Sequence, residues 1–339
     1  MKTTNKTQYQ RGLMAVLSAT ITLTLLLSAC APAGSPAATQ AAGNVAASQP
    51  VTVKMAMLPI IDALPFYVAS QQGYFKANNV DISYIPTASA AERDQLIAAG
   101  QADGMINDLV SVALYNKQAV QVQTVRFART ADAKTVMYRV LAAKNSGIKT
   151  AADLVGVPVG MSQGTVIDYV TSRLLEQEGL KQNQIKSVAV PKLPDRMALL
   201  NSGEVKAATL PEPFGTMAQQ AGAIALVDDS KYPQYGYSVI SFRKTVIDQH
   251  PEAIRGILSA LEKATADINQ NPDQWRALLG QYKLVPAAIQ ETYPIGKFPT
   301  AAVPSEAQWK DVIDWMKTRQ MLSQDLAYGD SITASYLPK

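Results

Sequence analysis

Leu96-Ile97-Ala98-Ala99-Gly100-Gln101 is matched far downstream by Leu199-Leu200-Asn201-Ser202-Gly203-Glu204, and these two helix endings decide the fold. Each is a run of helix formers stopped by a glycine, the residue that best adopts a helix-terminating left-handed backbone. Working outward, Val51–Met57 alternates as a strand, Pro65–Gln72 reads as a helix stopped at Gly73, and Val80–Ile85 as a second strand. A helix over Ala90–Ala99, a strand over Gly104–Ile106 and a helix from about Asn107-Asp108 complete a unit. The order then repeats: strand Val157–Gly160, helix Ser162–Glu178 stopped at Gly179, strand Ser187–Val190, helix Asp195–Ser202, strand Val205–Leu210 and helix Pro213–Ala221. Gly73 with Gly179 and Gly100 with Gly203 recur at nearly one offset, so the body is an internal duplication of an α/β unit. Strands alternating with helices predict parallel sheets in two lobes.

After the repeat, Tyr237–Phe242 alternates as a strand and a helical third follows. Pro251 opens a helix running to Ile268 with Asp248 as its cap, Pro272 opens another, and Ser305-Glu306 begins a third bearing Trp309, Val312, Ile313 and Met316 at helical spacing. The expected lobes are residues 51–140 with 240–339, and residues 141–239. Chain crossings are expected near Val136–Ala143 and Gly236–Arg243, forming a hinge with a ligand cleft between the lobes.

At the N-terminus Lys2, Lys6 and Arg11 precede an apolar run, Leu13–Leu27, and then Ser28-Ala29-Cys30. This is a secretory signal pattern ending in the only cysteine of the chain, and it resembles a bacterial lipobox. Residues 1–29 are therefore expected to be a signal peptide and Cys30 the lipidated (diacylglyceryl, palmitate-type) anchor to the membrane. Residues 30–50 are uncharged and rich in Ala, Pro, Gly and Ser, a flexible tether. Ser18, Thr20, Thr22 and Thr24 break the apolar run short of a membrane span.

Without the three leader cations the net charge falls from +4 to +1, and no basic block is present, which argues against a nucleic-acid partner. With 47% hydrophobic and 17% charged residues the body can build a real core. One cysteine and one histidine, His250, provide no ligand set of the usual zinc type, so no metal and no cofactor are expected.

Four stretches in order carry a resemblance. They are Leu58-Pro59-Ile60-Ile61-Asp62-Ala63-Leu64-Pro65-Phe66-Tyr67-Val68-Ala69 with Gly73-Tyr74-Phe75; Ile106-Asn107-Asp108-Leu109; Ile148-Lys149-Thr150-Ala151-Ala152-Asp153-Leu154 ahead of Gly156-Val157-Pro158-Val159-Gly160; and Leu210-Pro211-Glu212-Pro213-Phe214. Together they resemble the sulfonate, nitrate and thiamine-precursor (and riboflavin) binding proteins, solute-binding lipoproteins of ABC importers, over essentially all of residues 51–339. The resemblance implies a two-lobe periplasmic-binding-protein-like α/β fold that closes on a small-molecule ligand. It further implies an ABC permease and ATPase as partners outside this chain, which has no Walker-type phosphate loop, and a location on the outer side of the cell membrane.

The expected ligand-binding residues are Asp62, Phe66 and Tyr67 from the first loop and Asn107 and Asp108 after the third strand. The second lobe is expected to add Ser162, Gln163, Thr165 and Glu212, with Tyr235 beside the second crossing. Phe66 and Tyr67 could instead be core, and Asn107, Asp108, Ser162 and Thr165 could cap helices. These loops offer carboxylates and aromatics rather than arginine or lysine. Carboxylates accept from ring N–H and hydroxyl groups and aromatics stack on planar rings. The expected cargo is therefore a heterocycle, riboflavin first and a thiamine pyrimidine precursor second, with sulfonate or nitrate as the alternative class. A rival reading treats Gly160-Met161-Ser162-Gln163-Gly164 as a nucleophile elbow, with Asp228 or Asp229 and His250 completing an exported serine esterase.

Overall fold

A computed structural model of the protein describes residues 49–339. The expected signal peptide, Cys30 and nearly all of the tether lie outside the described residues.

The first lobe runs β1 (Val51–Met57), α1 (Leu64–Gln71), α2 (Tyr74–Ala77), β2 (Val80–Pro86), α3 (Ala90–Ala98), β3 (Gly104–Asn107), α4 (Leu109–Asn116) and β4 (Val122–Thr130). The second runs β5 (Tyr138–Ala142), β6 (Pro158–Met161), α5 (Val166–Gln177), β7 (Lys186–Ala189), α6 (Leu193–Ser202), β8 (Ala207–Pro211), α7 (Phe214–Gln220) and β9 (Ile224–Asp228). The chain returns through β10 (Tyr237–Arg243), α8 (Lys244–Gln249), α9 (Pro251–Gln270), α10 (Arg276–Gln281), α11 (Glu306–Thr318) and α12 (Tyr328–Ser331). Among the described residues no helix is long and apolar enough to cross a membrane.

Two five-stranded sheets result, ordered β2-β1-β3-β10-β4 and β7-β6-β8-β5-β9. The three strands of each repeated unit pair in parallel, as expected. The fourth strand of each sheet is antiparallel to both neighbours, so the sheets are mixed rather than parallel. The reason is a reciprocal exchange. After β4 the chain leaves the first lobe and supplies β5 to the middle of the second sheet; after β9 it returns and supplies β10 to the middle of the first. The crossings are therefore residues 131–137 and 229–236. The bounds expected at 140 and 240 fall inside β5 and β10, each of which already belongs to the lobe it enters.

Asp229 fastens the two crossings together. Fully buried, it accepts N–H bonds from Met137 at 2.9 Å and Tyr138 at 3.1 Å. Burial, with Asp228 nearby, pushes its pKa up to about 7 against the pull of the two backbone donors and Arg129.

The helices follow from their apolar spacing. α9 buries Ile254, Ile257, Leu258, Leu261, Ala264 and Ile268 on one face and lies along α1, making the first lobe's core with Phe66, Phe75 and Phe242. Its cap is His250 rather than Asp248, whose carboxylate instead receives Lys244 Nζ at 2.6 Å within α8. α11 starts at a capping box on Ser305 and buries Trp309, Val312, Ile313, Trp315 and Met316. It does not belong to the first lobe alone. It packs on α4, while Asp311 receives Tyr169 Oη at 2.7 Å and Arg173 Nε at 2.9 Å from α5, and Arg319 meets Asp168 at 2.8 Å. One apolar cluster thus runs from Leu109 and Val112 through Trp315 to Tyr169 and Leu174.

Candidate functional site

Between the lobes lies a cavity of about 60 Å³, room for about five waters at ~10–15 Å³ each. The N-terminal ends of α3, α4, α5 and α6 reach it through Ser89, Asp108, Val166 and Leu193. Four helix starts bring the positive ends of their dipoles to one space, while the Glu92, Ser111 and Ile167 N–H groups are taken by the capping side chains of Ser89, Asp108 and Thr165.

The duplication places an arginine at the same point of each lobe. Arg93 stands at the fourth position of α3 and Arg196 at the fourth of α6; both are buried and both line the cavity. Each donates Nη1 to the carbonyl of the corresponding strand residue, Arg93 to Ile106 at 3.2 Å and Arg196 to Thr209 at 3.0 Å. Their electrostatic surroundings differ. Arg93 Nε bonds Asp94 at 2.9 Å and its Nη2 bonds Asp108 at 3.2 Å. Burial alone would lower its pKa, but these two carboxylates raise it above the ordinary value. Met197 and Pro211 stand where Asp94 and Asp108 would be expected in the second lobe. Arg196 is 0% exposed, its remaining bonds go to the carbonyls of Val190 (2.7 Å) and Pro191 (3.0 Å), and no carboxylate pairs with it among the described residues. Desolvation accordingly lowers its pKa to about 10, which leaves it cationic at neutral pH. Three of its five N–H groups are committed to carbonyls and two are not.

The first-lobe wall is more acidic. Asp108 caps α4 by accepting Ser111 N–H at 2.9 Å, and burial raises its pKa against the pull of Arg93. Asp62 accepts Ser238 Oγ–H at 2.7 Å and lies 3.5 Å from Arg129 Nη1. Asn107 donates Nδ2 to Asp108 O and Ser111 Oγ, both at 3.3 Å, and its Oδ1 is buried without a partner.

Of the ten residues expected in the cleft, Asp62, Asn107, Asp108 and Ser162 line the cavity. The others are elsewhere. Phe66 is core, with Phe75 at 6.0 Å between ring centroids, and Tyr67 stacks on Tyr282 at 3.8 Å; both are held there because α1 buries its first six residues. Gln163 is exposed and bonds Ser187 Oγ at 2.8 Å. Thr165 is the N-cap of α5, which starts at Val166 and not at Ser162, and its hydroxyl donates to the Ser162 carbonyl at 2.7 Å. Glu212 faces a second cavity at the hinge with Arg129 and Tyr293, paired to Arg139 at 2.7 Å. Tyr235 lies edge-on to Tyr169 and accepts from Gln177 at 3.3 Å.

The esterase constellation is not assembled. Asp229 holds backbone N–H groups, Asp228 is bound to Arg139 and Ser230, and His250 is exposed at the α8–α9 junction, away from Ser162. Arg93, Arg196, Tyr138 and Ser238 are cavity residues that loop-by-loop reading of the sequence missed. The signal for the arginines is the duplication itself. Glu92-Arg93 and Asp195-Arg196 stand at equal distances before Gly100 and Gly203.

Comparison with known proteins agrees with this architecture. The model of the family described as NMT1/THI5 like matches residues 61–275. A protein of Escherichia coli (strain K12) named as an aliphatic sulfonates-binding protein is 29% identical over 170 residues, covering 50% of this chain; the match spans about half of that relative's length, 53%. A Haemophilus influenzae protein named for thiamine biosynthesis is 25% identical over 240 residues, 69% of this chain and 74% of that one. Among solved structures, the alkanesulfonate-binding protein SsuA of Xanthomonas axonopodis pv. citri bound to MOPS superposes with a TM-score of 0.71 at 14% identity, covering 85% of this chain and 99% of that one. The two-lobe architecture is the periplasmic-binding-protein fold.

Proposed function

The chain belongs to the NMT1/THI5-like family, and from that premise we propose that it is the extracytoplasmic solute-binding component of an ABC importer. It closes its two lobes around a small solute bearing an anionic oxo group, of the sulfonate or nitrate kind, and hands it to a membrane permease and its ATPase. It binds and does not transform the solute. Lipidation at Cys30 would hold it to the outer face of the cell membrane.

One observation carries the anion: Arg196 is buried, cationic, and unmatched by any carboxylate among the described residues. A buried charge is costly unless paired, and a solute anion supplies the pair. The helix N-termini around the cavity favour the same charge. The names of the Escherichia coli relative and the Xanthomonas neighbour point the same way. Closure is favoured because the solute meets donors of both lobes only when they approach.

The planar heterocycles expected from sequence, riboflavin and a thiamine pyrimidine, draw less support. Phe66 and Tyr67, which argued for stacking, belong to the core and not to the cavity lining.

A thermal-shift and calorimetric panel of ethanesulfonate, nitrate, riboflavin and a hydroxymethylpyrimidine tests the proposal. An anion at a hundredfold its Kd should add about 2.7 kcal/mol of stability. Binding of riboflavin or the pyrimidine with no response to either anion would overturn the anionic class.

A further inference from the structure

Arg196 accounts for one wall of the cleft; the facing wall carries an independent requirement. Asn107 closes β3, is 2% exposed and lines the cavity from the first lobe. Its Oδ1 has no hydrogen-bond partner, and buried acceptors are seldom left so. The amide cannot be turned round to remove the problem. Its Nδ2 donates to the carbonyl of Asp108; exchanging the two ends would set oxygen against oxygen, since a carbonyl only accepts. Asn107 Oδ1 is therefore the acceptor left unpaired on the first-lobe wall of the cavity. The packing of the repeated unit does not demand it either, because the second lobe has Leu210 at the corresponding place. Asp62, lining the same cavity from the same lobe, is by contrast already matched, accepting from Ser238 Oγ and facing Arg129 Nη1.

We propose, resting on the anion reading above, that the solute is bifunctional. Its oxo anion is received by Arg196 on the second lobe, and a hydrogen-bond donor at its other end, a hydroxyl or ammonium group, is received by Asn107 Oδ1 on the first. Asn107 is thus a specificity residue that separates donor-bearing oxoanions from simple ones. A site built to bond a donor rejects the analogue lacking it, because its own polar group is then left unpaired.

The test is calorimetry on the whole protein with three probes sharing one two-carbon sulfonate frame: ethanesulfonate, 2-hydroxyethanesulfonate and 2-aminoethanesulfonate. Wild type should bind at least one donor-bearing probe tenfold or more tighter than ethanesulfonate. Asn107→Leu should bring the affinities for the donor-bearing probes to within threefold of that for ethanesulfonate; melting curves show whether the variant is folded. Equal affinity for all three probes, or a preference that survives in Asn107→Leu, overturns this inference and leaves the anion reading standing. Failure of all three to bind overturns this inference, and the anion reading falls with it when nitrate gives no response either.

Discussion

Met197→Asp would give the second lobe the counterion that the first already has. Met197 follows Arg196 as Asp94 follows Arg93 and is half-buried, so the new carboxylate would lie beside the guanidinium without opening a cavity. In the first lobe the Asp94 oxygen stands 2.8 Å from Arg93 Nη2. A solute anion on the other edge of the same guanidinium would be about 6 Å from such a carboxylate. At an effective dielectric of about 20 the two like charges repel by ~2.8 kcal/mol, which is about a hundredfold in Kd. Arg196 and its three carbonyl contacts remain in place, so the fold should hold, and the added ion pair should leave the apparent melting temperature unchanged or slightly higher. Calorimetric titration with ethanesulfonate, beside melts without ligand, separates the two effects. An affinity within threefold of wild type in a correctly folded Met197→Asp protein would refute the view that the unmatched charge of Arg196 is what draws the solute.

Three other outcomes follow from separate features. The carboxyl of Asp229 has its pKa pushed from the ordinary 3.8 to about 7, so the native state holds a proton that the unfolded chain has released. Its contribution to stability is therefore fully present below about pH 4 and is lost as pH rises through 7; Asp229→Asn should flatten that part of the melting-temperature profile. At Gly104 a methyl group would strike the Phe242 ring and lie 2.7 Å from Met55 Sδ, so Gly104→Ala should lower stability by about 1–3 kcal/mol in urea titration. Cys30→Ala should move the exported protein from the membrane fraction to the soluble one, as judged by fractionation and immunoblot.

The repeat, the helix stops and the existence of two chain crossings were legible in the sequence; the place each crossing strand takes in its sheet was not. Gly73, Gly100, Gly179 and Gly203 all have positive φ where the helices were expected to stop, and the α11 stripe of Trp309, Val312, Ile313 and Met316 is buried as its spacing demands. The exchange of β5 and β10 was hidden because an alternating strand beside a crossing reads the same whichever sheet it joins. Phe66 and Tyr67 were ambiguous because α1 is apolar all round, leaving periodicity no face to single out. The arginines were overlooked for a different reason. Arg93 and Arg196 sit one turn inside helices and reach the cleft through long side chains, so the loop sequences carry no sign of them. Comparing the two halves position by position, rather than each with general rules, exposes both the matched arginines and the missing second-lobe carboxylates.

The strand exchange also bears on the order in which the molecule can assemble. All five strands of the second sheet come from one uninterrupted stretch, 138–228, whereas β4 has no neighbour in the first sheet except β10. An N-terminal segment emerging alone can join β1, β2 and β3 yet leaves β4 stranded until more than a hundred further residues have followed. Contacts of such separation form slowly. β10, the last strand in the chain, therefore closes the edge between β3 and β4 and completes the sheet that the first strands began.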